Sequence, residues 1–152
     1  MPLLLVQHGK NLPMELDPEK GLSPEGTGDV KRVAETLRDY GISVDFIWHS
    51  GLKRARQTAE IFAAALGKDL EPLQKDGLAP LDDVTKLNLN PEKDLMIVGH
   101  LPFMERFVSF LVVGSPDRPP VVKFQNGGVV ALDKNNETGS WHIKWTLFPN
   151  IQ

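Results

Sequence analysis

Leu3-Leu4-Leu5-Val6-Gln7-His8-Gly9 is the stretch whose reading decides the fold class. A strand with one face in water alternates apolar and polar side chains, because successive residues point to opposite faces; a strand apolar at every position is buried on both. Leu3–Gln7 therefore predicts a strand of a parallel sheet covered by helices on each side. The same pattern recurs at Val44–Trp48, followed by His49 and Ser50, and at Leu95–Val98, followed by Gly99 and His100.

Amphipathic stretches separate these strands. The first predicts a helix from Pro24 to Tyr40, with Ser23 as N-cap, Gly41 past its end, and Val30, Val33, Ala34 and Leu37 as the buried stripe. The second predicts a helix from Leu52 to Leu66, capped by Ser50 and ended by Gly67, with Ala59, Phe62, Ala63 and Leu66 inward. A third, from Pro102 to Val113, is apolar on most sides through Phe103, Phe107, Phe110 and Leu111, and is expected to be central and well covered. Asp82–Leu89 reads as a short helix broken by Asn88, Asn90 and Pro91. After the loop Ser115–Pro120, Val129–Leu132 and Trp141–Leu147 read as an antiparallel hairpin around Lys134–Gly139. The expected fold is a three-layer α/β/α sandwich: a mostly parallel central sheet with an antiparallel C-terminal hairpin at its edge, forming one domain over residues 1–152.

Composition excludes several function classes. The 152 residues are 41% hydrophobic and 24% charged, with 17 Lys and Arg against 20 Asp and Glu, a formal net charge of −3. That balance offers no basic footprint for nucleic acid. The absence of cysteine excludes disulfides, a cysteine nucleophile, thiolate zinc sites and iron–sulfur clusters. Neither Leu3–Val6 nor Phe107–Val113 is long enough for a signal peptide core or a membrane span. The chain is expected to be cytoplasmic and soluble, with no nucleic-acid or membrane partner.

Ligands of open α/β sheets bind at the carboxyl ends of the strands. Three of the four histidines, His8, His49 and His100, fall there, and only His142 lies elsewhere. Gly9 and Gly99 flank His8 and His100, where a missing side chain lets backbone approach a ligand closely. His49, beside bulky Trp48, reads as a hydrogen-bonded structural histidine. Lys53, Arg54 and Arg56 crowd the first turn of the second helix, against the macrodipole that favours anions there. A local rule broken in this way points to function. Exposed amides and a guanidinium together make an anion site, for which phosphate is the natural guest. At least one of the three cations is expected to be surface charge. Three histidines at one edge could instead ligate zinc or iron. No carboxylate accompanies them, however, His-x-His and His-Glu-x-x-His spacings are absent, and Arg54 would repel a cation. A neutral imidazole can attack phosphorus and form a phosphohistidine that water hydrolyses, while preorganised donors spread the developing charge. Either His8 or His100 is then the nucleophile, Arg54 the clamp, and the other histidine a donor to a phosphoryl oxygen.

Four stretches in order carry a resemblance: Leu5-Val6-Gln7-His8-Gly9, Leu22-Ser23-Pro24-Glu25-Gly26, Ser50 to Thr58 with Arg54-Ala55-Arg56-Gln57-Thr58 at its centre, and Gly99-His100-Leu101-Pro102. In these the chain resembles the histidine phosphatase superfamily, most closely its small SixA-like phosphohistidine phosphatases. The resemblance implies that His8 is the phosphorylated nucleophile, Arg54 a phosphate ligand and His100 the second histidine on the phosphoryl group. Gln7, Gly9 and Leu101 complete the expected substrate-binding set. No cofactor or metal is implied. Substrates of the family include phosphohistidine on proteins, sugar and glycerate phosphates and other phosphomonoesters. A chain of this length has no room for the insertions that roof the site of larger members, and an open site suits phosphohistidine on a protein surface.

One departure stands out. Gln7 replaces the arginine that precedes the nucleophile in the family. Losing a charge-assisted contact forfeits about 1.5 to 3 kcal/mol, and if this falls on the transition state the rate drops roughly ten- to hundredfold. Lys10 and Lys53 are the candidates to restore the charge. For a general acid, Asp17 sits where SixA-like proteins tend to have one, and Asp83 is the other candidate. A protonated imidazole leaving group can dispense with an acid altogether. The expected activity is that of a metal-independent phosphatase, acting on phosphohistidine in a protein. The alternatives are a small-molecule phosphomonoesterase and, given Gln7, a catalytically weak phosphate- or phosphoprotein-binding module.

Overall fold

The computed structural model describes residues 2–89 and 92–151. Its elements are β1 (Pro2–Gln7), α1 (Pro24–Asp39), β2 (Phe46–His49), α2 (Lys53–Leu66), β3 (Leu73–Gln74), β4 (Leu95–Gly99), α3 (Phe103–Val113), β5 (Val129–Lys134) and β6 (Trp141–Leu147), with a single 3-10 turn at Val84–Lys86. The strands form one sheet in the order β3-β2-β4-β1-β5-β6. β1, β2, β3 and β4 run parallel, while β5 pairs antiparallel with β1 and β6 antiparallel with β5.

The uninterrupted apolar runs of β1 and β4 are buried on both faces. Leu4, Val6, Met96 and Val98 pack against Val30, Val33, Leu37 and Phe62 of α1 and α2. On the other face Leu3, Leu5, Leu95 and Ile97 pack against Phe103, Met104, Phe107 and Val108 of α3. This is the three-layer α/β/α arrangement. Register then determines where the chemistry sits. Gln7 lies opposite Gly99, and His49 opposite Val98, so β1, β2 and β4 end level along one edge.

Several elements differ from the sequence expectation. β3 was not foreseen, because its two residues are both exposed and carry no apolar pattern. β2 begins at Phe46 rather than Val44, since Asp45 and Phe46 both donate their N–H to the Asp94 carbonyl in the entry turn. Asp82–Leu89 forms only the 3-10 turn, capped by Asp83; Asn90 and Pro91 lie outside the described residues. α3 is not central: it covers its face with one side, Phe110 and Leu111 are half-buried, and Val113 is exposed. Two helices share the opposite face, whereas α3 shares its own with loop residues Leu78, Val84 and Phe124. Ser23 caps α1 as expected, accepting from Gly26 N–H at 3.0 Å. Ser50 does not cap α2, whose N-cap is Leu52 with no side-chain bond. In the β5–β6 pairing a register shift between Ala131 and Leu132 of β5 lets Trp141 and Ile143 of β6 face α3 while Trp145 and Leu147 face α1 and α2. Among the described residues no helix is long and apolar enough to cross a membrane.

Candidate active site

His8 leaves the end of β1 under tight backbone control. Its N–H donates to Gly99 O at 3.0 Å, and its carbonyl accepts from Asn126 Nδ2 at 3.1 Å and Gly127 N–H at 3.2 Å. Gly9 N–H donates to Thr58 Oγ1 at 3.0 Å, and Thr58 Oγ1 donates to Arg54 O at 2.8 Å. Thr58, fully buried one turn after Arg54, thereby locks the chain beside His8 to the helix that carries the arginine. A Cβ on Gly9 would lie 2.7 Å from Val30 Cγ2, which explains glycine there.

The His8 ring is oriented by its own neighbour, with Nδ1 2.7 Å from Gly9 O. A carbonyl oxygen only accepts, so Nδ1 carries the proton and Nε2 keeps its lone pair. Burial pushes the His8 pKa down to about 4 against the raising effect of the Gly9 bond, and the Arg54 charge lowers it further. His8 is thus a neutral imidazole at neutral pH.

His100 stands beside it, with ring centroids 5.0 Å apart and planes at 53°. Its Nε2 is 2.6 Å from Ser50 Oγ, and its buried Nδ1 has no partner. A serine hydroxyl that donates to Nε2 leaves the ring proton on Nδ1, free for a ligand. Burial, then the His8 and Arg54 charges, push the His100 pKa down to about 3.

Of the three cations on α2, Arg54 alone has no carboxylate partner among the described residues: Lys53 pairs with Asp17 at 2.9 Å and Glu19 at 3.6 Å, and Arg56 with Glu60 at 3.6 Å. Burial lowers the Arg54 pKa, yet a guanidinium stays charged. No side chain caps the first turn of α2, where the Ala55 N–H already donates to Leu52 O at 3.0 Å and the Lys53 and Arg54 amides precede it. Lys10 is taken by Glu25 at 2.7 Å. Neither lysine considered as a substitute for the missing arginine is therefore available.

The remaining candidates are placed less simply. Gln7 is buried, and its Oε1 has no partner. Both backbone groups of Gly9 are engaged, so it positions His8 and Thr58 rather than offering an amide to a ligand. Leu101 is half-buried, packed on the α3-side core at the start of that helix. Asp17, expected as an acid, accepts from Lys53 and from the Gly21 and Glu19 amides, which hold its carboxyl down at about 2. A carboxylate so held has no proton to donate. Asp83 accepts from the Thr85 hydroxyl and amide, which also lower its pKa. His49 accepts the Gly51 N–H at 3.0 Å, as a structural histidine would. Among the described residues no group of three or more His, Asp or Glu side chains is placed to hold a metal ion. Sequence reasoning missed three residues that shape the site: Ser50, Thr58 and Asn126. Thr58 carried a signal, lying four residues after Arg54 on the same helix face, whereas Asn126 joins from 118 residues away.

Residues 3–82 match the histidine phosphatase superfamily, branch 1. An uncharacterised protein of Picosynechococcus is 32% identical over 124 residues, covering 76% of this chain and 73% of its own. Among solved structures, the protein histidine phosphatase SixA complexed with tungstate superposes with a TM-score of 0.79 at 20% identity, over 98% of this chain and 97% of its own. Phosphoserine phosphatase of Entamoeba histolytica in complex with 3-phosphoglyceric acid gives 0.72 at 16%, over 95% of each chain. A mycobacterial glucosyl-3-phosphoglycerate phosphatase complexed with VO3 gives 0.73 at 13%, over 95% of this chain and 97% of its own. At such identities the three share the fold. The family match spans more than half of the sequence and includes Gln7, His8 and Arg54, and on it, together with the 32% identical relative, the chain belongs to the histidine phosphatase superfamily, branch 1.

Proposed function

We propose that the protein is a metal-independent phosphatase that removes phosphate from phosphohistidine in proteins, through a covalent phosphohistidine on His8. The observation that carries this reading is the His8 ring: neutral, buried, and fixed by Gly9 O with Nε2 bearing the lone pair. In the first step Nε2 bonds to phosphorus as the substrate's N–P bond breaks. The departing imidazole keeps its own ring proton and leaves neutral. His8 retains its Nδ1 proton on Gly9 O, so the phosphorylated ring is cationic and itself a good leaving group. Water then attacks phosphorus, the Nε2–P bond breaks, and inorganic phosphate takes up the oxygen with its surplus proton passing to solvent. Arg54, the α2 amides and His100 Nδ1–H are the donors that spread charge over the phosphoryl oxygens. Nitrogen as leaving atom fits the acids: Asp17 and Asp83 are both held ionised, and an alkoxide would need the proton that neither has. Such a substrate would place the protein in phosphorelay signalling.

The test is phosphate release from a phosphohistidine-bearing protein and from an aryl phosphate, with chelator present. The reading expects turnover of the phosphohistidine substrate, none by His8→Ala, and weaker action on the ester. Preference for the ester would favour a small-molecule phosphomonoesterase, and retained activity in folded His8→Ala would overturn the mechanism.

A second reading has its own observation. Gln7 brings no charge, and Lys10 and Lys53, the two candidates to restore it, are both paired with carboxylates. This favours a catalytically weak phosphate- or phosphoprotein-binding module. If the missing charge limits turnover, Gln7→Arg raises the rate by roughly ten- to hundredfold; an unchanged rate would mean the pocket is built around glutamine.

A further inference from the structure

We infer that Gln7 makes this site select a phosphoryl group in its singly protonated, monoanionic form over the dianion. The inference rests on the phosphate-site reading above and specifies which form of ligand that site takes. Gln7 lies at the end of β1 in register with Gly99, one residue from each histidine, and is only 8% exposed. Its Oε1 is buried with no hydrogen-bond partner among the described residues. A buried acceptor left unpaired is costly, and it persists where a ligand supplies the missing donor.

What a ligand must supply follows from the chemistry of the carboxamide. Whichever way it is turned, a glutamine presents an acceptor beside its donors, whereas an arginine presents donors only. The three bare oxygens of a phosphoryl dianion are all acceptors, and one of them would face Oε1 acceptor to acceptor. A monoanion carries one P–OH, which donates to Oε1 while its other oxygens accept from the Gln7 amide and Arg54.

The groups around the site leave a clear pH window. His8 and His100 titrate at about 4 and 3, burial also lowers His49, and Asp17 lies at about 2. Lys10 and Lys53 are raised by their carboxylate partners. The α3 side carries Glu105 in the first turn and Arg106, paired with Asp117; Lys20 lines the surface around Arg54, Lys75 lies over the Trp48 ring, and the β5 side brings uncharged Asn126. Around neutrality the proton that distinguishes the two ligand forms is the ligand's own.

Sulfate, a dianion with no proton near neutrality, is the control. Calorimetric binding of methylphosphonate, whose dianion has three bare oxygens and whose monoanion carries one P–OH, and of sulfate to the full chain, from about pH 5.5 to 8.5, reads the preference directly. Methylphosphonate is expected to bind about tenfold tighter than sulfate at the acid end, and to weaken by up to about tenfold per pH unit above its second ionisation. Sulfate is expected to show no such slope. In Gln7→Arg sulfate should bind as well as methylphosphonate and the slope should vanish; Gln7→Met, similar in volume and with neither donor nor acceptor, should lose the discrimination. Sulfate binding as tightly as methylphosphonate with the same slope would put the proton on a histidine and overturn the inference, as would methylphosphonate binding independent of pH, or discrimination that survives in Gln7→Met. Failure of both anions to bind overturns the inference together with the phosphate site. Because binding is read without turnover, a protein that binds in this way but never forms phospho-His8 sinks the phosphatase reading alone.

Discussion

The state of the His8 ring is set by position rather than by a base: a neighbouring carbonyl holds its Nδ1 proton, and burial keeps the ring neutral far below the usual histidine range. On its acid side the kcat/KM profile should therefore show no decline until about pH 5, and then fall as His8 protonates near its value of about 4. An acid limb near the ordinary histidine value, about 6.5, would contradict this placement. The Ser50–His100 contact makes a second residue-level prediction. Ser50→Ala leaves Nε2 without its partner and frees the ring to carry its proton on either nitrogen, so kcat should fall about tenfold with KM little changed, and Ser50→Thr should restore it. Steady-state kinetics of the two variants decide it.

Elements explain why these side chains meet. β1, β4 and β2 end level, and α2 starts where the last of them ends, which brings His8, His100, Ser50 and Arg54 to one edge. The start of α1 is coupled to the loop after β1 through Lys10, whose carbonyl accepts from the Ser23 N–H and hydroxyl. That backbone runs so close to α1 that a Cβ on Gly26 would overlap Lys10 O. Gly26→Ala should therefore destabilise the fold by about 1–3 kcal/mol, read from denaturant midpoints; a neutral effect would mean the loop yields freely. Much of this was legible in sequence. Uninterrupted apolar strands ending in histidine, the Ser23 cap and the cations at the start of α2 each carry a local signal. The fate of Ser50 was not legible, because a serine before a helix has two uses, and only the packing of β4 beside β2 selects His100 over the helix amides. The Asp17–Lys53 pair spans 36 positions, so nothing near Asp17 in sequence reveals that it is held ionised. β3 escaped notice because a two-residue exposed edge has no pattern to read.

For the molecule as a whole, holding two buried histidines neutral has a consequence for stability. Their folded pKa values, about 4 for His8 and about 3 for His100, lie below the ordinary value of 6.5, so between these limits the unfolded chain binds more protons. Their contribution to stability is fully present above about pH 6.5 and is lost as pH falls through the folded values. Thermal midpoints should decline from about pH 6.5 toward pH 4, and less steeply in His8→Ala, which removes one of the two groups. A midpoint flat over that range would show that the rings are hydrated. The three-layer fold thus both hides the histidines and orients them, and the sheet edge they share with Arg54 is the site proposed for phosphoryl transfer. The most direct test of that proposal is rapid-quench trapping of the enzyme with a radiolabelled phosphohistidine protein, in chelator. The account predicts an acid-labile, base-stable phosphoenzyme that maps to His8, appears before free phosphate and is absent from His8→Ala. Phosphate release with no phosphoenzyme at any quench time, or label on another residue, would contradict it.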